Sequence, residues 1–129
     1  MRRRNRGKGR RGRGRRAVRM LEPALLLLLH YSPAHGYTLL EQLREFGLGD
    51  LDSSMIYRAL RDMEEREWVT STWDEEQTQG PPRRVYHLTA LGHEVMGWHT
   101  QQLQEARGMI DRLLGAYAQH MKDGQGEYH

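Results

Sequence analysis

Between residues 52 and 92 the hydrophobic pattern changes period once, from helical to alternating, and that change limits what the segment can build. Asp52 and Ser53 are good helix N-caps, and Ile56, Leu60 and Met63, flanked by Ala59, recur at helical spacing as a core-facing stripe. The spacing predicts a helix from this cap towards Trp68. Val69 to Asp74 then alternates as a strand, Glu75 to Pro82 supplies a turn ending in Gly80-Pro81-Pro82, and Arg84 to Leu88 returns as a second strand. The other edge of the helix carries Ser53, Ser54, Tyr57, Arg58 and Arg61, while the ribbon carries Arg83 and Arg84. A polar helix edge that fits a major groove, followed by a basic two-stranded ribbon, is a DNA-docking device. Double-stranded DNA is the partner this segment predicts.

The elements on either side are helical. Pro23 suits a first helical turn, and the run from Ala24 to Tyr31 is apolar all round, as in a helix buried at a domain centre or a subunit contact. Pro33 ends it. After His35-Gly36-Tyr37, the residues Leu39, Leu40, Leu43 and Phe46 fall at helical spacing until Gly47 stops the helix. From Thr89 to Lys122 a long helix is predicted, about 50 Å if unbroken. Leu103, Ile110, Leu113 and Tyr117 follow a 3-4 stripe along it. So long an apolar stripe needs another surface, most simply a second copy of the chain. Gly92, Gly97, Gly108 and Gly115 weaken this helix, and are read as sites of bending or of close approach by the partner.

Charge divides the chain sharply. Residues 1–19 hold 11 of the 20 Lys/Arg and no acid, leaving 9 basic against 17 acidic residues in the rest, a net −8. A basic arm is thus attached to an acidic body, and Arg58, Arg61, Arg83 and Arg84 of the body lie in the helix and ribbon described above. The Arg/Gly-rich arm, residues 1–18, is too polar to fold alone. The expected organisation is a disordered arm (1–18), a docking domain (19–89), a dimerisation helix (90–122) and a disordered tail (123–129). With no cysteine, neither a disulfide nor a thiolate metal site is expected, and a reducing cytoplasm is the natural compartment. The leucine run is far shorter than the roughly 20 residues that span a bilayer, so no membrane partner is expected.

The fold expected is mainly α with a small β-ribbon: a winged helix-turn-helix followed by a long C-terminal dimerisation helix. At this point the chain resembles the PadR family of winged-helix transcriptional regulators, in its short-tailed branch. The likeness rests on His35-Gly36-Tyr37, on Ser53 to Leu60 with Met63-Glu64, and on Gly80 to Thr89 followed by Leu91-Gly92. It implies a homodimer that binds an inverted repeat near a promoter, usually represses, and responds to a small effector. The family pattern has glycine near the end of the recognition helix where this chain has Glu67-Trp68, which predicts a differently shaped turn. The Arg/Gly arm is outside the pattern.

Expected DNA contacts are Tyr37, Ser53, Ser54, Tyr57, Arg58, Arg61, Arg83 and Arg84. Tyr37 matches the family tyrosine that donates to a phosphate, although a core aromatic with its hydroxyl at the surface fits nearly as well. The wing arginines reach a phosphate or minor groove, or else pair with Asp74 or Glu75. Trp98 and Met96 either line a cavity for a small aromatic or apolar effector or are plain interface core. His87, His93 and His99 step by six residues, which does not return to one helix face, so no metal site is expected from them. No cofactor motif, nucleophile elbow or paired acid/base constellation is present, so neither cofactor nor catalysis is expected. The alternative function is an RNA- or chromosome-binding protein that acts mainly through the Arg/Gly arm.

Overall fold

The structure, a computed structural model, describes residues 19–74, 76 and 80–124. The expectations for the arm, and for the tail from residue 125, lie outside these residues. Helix α1 runs over residues 19–31. It is followed by β1 (Ala34–His35), α2 (Gly36–Glu45), α3 (Ser53–Glu65), β2 (Val69–Trp73), β3 (Arg84–Leu88) and α4 (Ala90–Lys122). The described residues form two compact units that divide within α4, between Met96 and Gly97.

The core of the first unit joins one stripe from each helix. Leu21, Ala24, Leu25, Leu26 and Leu29 of α1 meet Leu39, Leu40 and Leu43 of α2 and Ile56, Leu60 and Met63 of α3, closed by Leu51, Val69 and Tyr86. Three expectations are corrected here. Helix α1 is not buried all round, since Leu27 and Leu28 are only half-buried and Tyr31 is exposed. Phe46 lies beyond α2 and is also exposed, because the chain has already left the helix before that side chain can turn inward. Helix α1 extends N-terminally past Pro23, which therefore sits inside it rather than in its first turn.

Strands β2 and β3 pair antiparallel as predicted, from Val69 opposite Leu88 to Trp73 opposite Arg84. A third strand was not foreseen. β1 pairs with β3 on its other edge, Ala34 opposite Tyr86, giving the order β1-β3-β2. Two residues are too few to show a period of two. The result is mainly α with a small antiparallel sheet: a winged helix-turn-helix and a long C-terminal helix.

Two helices end in the same way. After α2, Gly47 (φ +100) gives its N–H to Arg44 O at 3.1 Å and Leu48 gives its N–H to Leu43 O at 2.9 Å. After α3, Glu67 donates to Glu64 O at 3.0 Å and Trp68 to Met63 O at 2.9 Å, with Glu67 at φ 65. Both are Schellman closures, which need a left-handed residue. The turn after α3 thus takes the shape a glycine would give it, correcting the expectation of a different turn. Since an L-residue in this region costs roughly 1–2 kcal/mol, Glu67→Gly is expected to raise the unfolding free energy by about 1 kcal/mol, read by urea or thermal melts. An unchanged or lower midpoint would contradict a left-handed Glu67.

Candidate nucleic-acid interface

The start of helix α3 is set by its cap. Asp52 Oδ1 accepts the Met55 N–H at 3.0 Å and the Ser54 hydroxyl at 2.6 Å. These two bonds, the Ser54 hydroxyl first, hold the Asp52 carboxyl below its usual range. The cap is therefore ionised at neutral pH, and its contribution is lost only as pH falls through that lowered value. Ser54 is committed to the cap, whereas Ser53, Tyr57, Arg58 and Arg61 stand exposed on the same helix.

Tyr57 sits directly over the start of α2. A Cβ on Gly36 would lie 2.5 Å from Tyr57 Cε1, so the missing side chain is what lets the ring lie there. Tyr37 follows on the first turn of α2, 57% exposed. Its ring is not part of the core, so the core-aromatic reading fails. Together His35, Gly36, Tyr37, Tyr57, Pro82, Arg83 and Arg84 line an open groove of about 450 Å³. One face thereby gathers the start of α2, Tyr57 of α3 and the residues that lead into β3.

The two wing arginines differ. Arg84 lies over the Trp73 ring, 4.7 Å from its centroid, and donates to Ser71 Oγ at 2.9 Å. Ser71 in turn donates to Glu64 Oε2 of α3 at 2.7 Å. Arg84 is thus held by a stacked ring and by a hydroxyl relay to α3. Asp74, one proposed partner of the wing arginines, instead meets His35 Nε2 at 3.1 Å. His35 Nδ1 faces the Arg84 carbonyl at 3.1 Å. A carbonyl only accepts, so Nδ1 carries the proton of that bond. This histidine clamp on the turn end of the ribbon was missed because His35 is about 40 residues or more from both of its partners in sequence. Beneath the groove, burial pushes the Tyr86 phenol above its usual range, with the Glu64 carboxylate adding to the shift.

The start of α4 is locked to the turn after α3. Thr89 gives its N–H to Trp68 O at 3.0 Å, its hydroxyl donates to Glu67 O at 2.6 Å, and Thr89 Oγ1 accepts the Gly92 N–H at 3.0 Å. Gly92 is buried against the Trp68 carbonyl and Leu88, so its close approach is to its own wing. Gly97 and Gly115 have nothing nearby.

Met96 packs with Val95 against the core of the first unit. Trp98, in the second unit, is 58% exposed and meets the His99 ring edge-on at 5.1 Å. In that unit Leu103, Met109, Ile110, Leu113, Leu114, Tyr117 and Met121 are all exposed. Leu114 and Met121 were not part of the sequence stripe. Among the described residues, no helix is long and apolar enough to cross a membrane.

The chain matches the transcriptional regulator PadR-like family over residues 25–97. No curated protein matches it. Solved structures do. A candidate transcriptional regulator from Thermoplasma acidophilum is 35% identical, with 78% of this chain and 96% of that one covered at a TM-score of 0.68. A PadR-like transcription factor from Bacteroides fragilis is 29% identical over 74% of this chain and 91% of that one, TM-score 0.64. A PadR family transcriptional regulator from Eggerthella lenta is 26% identical over 83% and 86%, TM-score 0.65.

Proposed function

The chain belongs to the transcriptional regulator PadR-like family, and from that premise we propose that it is a homodimeric, sequence-specific DNA-binding repressor of the cytoplasm. The observation that carries the reading is the groove bounded by Tyr37, Tyr57 and Arg83. It supports the reading because residues of α2, α3 and the wing line it together, while Arg58 and Arg61 are exposed elsewhere on α3. In this reading Ser53, Tyr57, Arg58 and Arg61 enter a major groove, Ser54 orders their helix, and Tyr37 and Arg83 hold flanking phosphates. Arg84, fixed on Trp73, presents its guanidinium edge to the backbone or minor groove.

Residues 19–89 supply the docking domain and residues 90–122 the dimer contact, through Leu103, Ile110, Leu113 and Tyr117. The arm adds phosphate contacts, each steepening log K against log salt by about 0.9. A small aromatic or apolar effector acts near Trp98 and Met96 by preferring one spacing of the two halves, since equal affinity for both arrangements shifts nothing.

The test is operator affinity by fluorescence anisotropy on fragments from the chain's own promoter. Arg58→Ala with Arg61→Ala is expected to weaken binding by about 1–3 kcal/mol for each base-specific bond removed, with relaxed selectivity at the bases they read. Gly36→Ala probes the geometry differently. Its new methyl displaces only the far end of the Tyr57 side chain, so stability should hold while affinity falls. Unchanged affinity in the double arginine variant removes α3 from the interface. Deleting residues 1–18 separates this reading from an arm-driven RNA or chromosome coat: a regulator keeps its sequence preference and loses salt-sensitive affinity.

A further inference from the structure

A pair of histidines in the first unit belongs to neither the groove nor the core. His30 lies in the last turn of α1 and His93 in the first turn of α4, and both are exposed. Their Nδ1 atoms face each other at 3.3 Å, with ring centroids 5.2 Å apart and planes at 79°. As a direct hydrogen bond this is long, beyond the roughly 2.7–3.2 Å span of N–H···O bonds. It is, however, the spacing of a chelate. Two imidazole nitrogens, each about 2.0–2.1 Å from a tetrahedral ion, lie roughly 3.3–3.4 Å apart.

We propose that His30 and His93 form a two-histidine seat for one divalent transition ion of the zinc, nickel or copper class, joining the end of α1 to the start of α4. The donor set selects the class. Imidazole nitrogen suits these ions, whereas magnesium and calcium need oxygen ligands. Among the described residues no cluster of three His, Cys, Asp or Glu is present, so the protein supplies two ligands and water completes the shell. Exposure of both rings leaves the ion an entry path. Because the ion binds only where the fold holds the two rings together, it stabilises the first unit by mass action. The seat escaped sequence reasoning, which weighed His93 against His87 and His99 along the chain, because its partner is 63 residues away. It stands independently of the DNA reading, and no DNA enters its test.

The full chain is titrated with zinc, nickel or copper chloride in a non-coordinating buffer, in competition with a chromogenic chelator. Long-range proton–nitrogen spectra of the imidazoles follow each addition of zinc. One ion per chain is expected, with the His30 and His93 Nδ1 signals shifting together and before those of the other histidines. His30→Gln and His93→Gln should each weaken the ion by at least about tenfold, the lower end of what loss of an outer-shell partner does to a metal site. His87→Gln should leave affinity unchanged, and magnesium chloride should move no imidazole signal. Unchanged affinity in His30→Gln or His93→Gln overturns the proposal, as does an earlier shift at another histidine. Since the spectra use the unaltered chain, a variant that fails to fold does not shield the idea.

Discussion

Gly92→Ala is expected to destabilise the first unit by about 3 kcal/mol or more, although alanine is the better helix former by roughly 1 kcal/mol. The added Cβ would collide with the Trp68 carbonyl and come within 2.6 Å of Leu88 Cδ1. Leu88 is a side chain and can turn, whereas the Trp68 carbonyl is backbone and is held by the Thr89 N–H. Relieving the clash therefore moves the start of α4 off the turn after α3, loosening the Thr89 bonds to Trp68 and Glu67 as well. Overpacking alone typically costs about 1–3 kcal/mol, and each bond loosened adds roughly 1. At about 4–8 °C per kcal/mol for a domain of this size, the melting point should fall by more than 10 °C. Gly97→Ala is the matched control, since nothing lies within 4 Å of its Cβ. It should be neutral or stabilising. Equal melting points for the two variants would show that the Thr89–Gly92 lock does not hold α4 to the wing.

How legible this was in the sequence depends on the range of the forces involved. The cap at Asp52 and the stripe Ile56, Leu60 and Met63 follow from neighbours within a few residues, the pairing of β2 with β3 follows from two alternating runs joined by one turn, and each is found where the pattern placed it. Gly47 ends α2 for a reason that is also local. The Glu67 turn was misjudged because residue type was taken to fix the turn, while two closing bonds and the packing of Trp68 hold a non-glycine residue in the left-handed region. β1, the His35 clamp between Arg84 and Asp74, the seating of Tyr57 on Gly36 and the His30–His93 pair are all long-range. Periodicity contains no information about them. Gly92 shows both limits together: its cost to the helix was visible, but which surface came close to it was not.

The apolar residues exposed along α4 suit the second copy of the chain proposed above, which local pattern cannot reach either. Ile110 and Leu113 are 53% and 63% exposed in the single chain, so replacing both with Asp leaves the packing of the first unit intact. Its folding should be unaffected. In a two-fold dimer each substitution counts twice, and four side chains that are a little over half exposed in the single chain lose burial worth about 1 kcal/mol or more apiece. About 4 kcal/mol weakens association by roughly 10³-fold, before the cost of placing four carboxylates in an apolar contact. Ile110→Asp with Leu113→Asp is therefore expected to sediment as a monomer with the circular dichroism of a folded chain. DNA binding should then separate into two parts. A monomer still docks one recognition helix on one half-site, but it can no longer hold two half-sites about 34 Å apart, so affinity for a full operator should fall towards that for a single half-site. An intact dimer in this variant would move the seam away from Ile110 and Leu113. A monomer that keeps full operator affinity would mean that the two half-sites are not bridged by α4 at all.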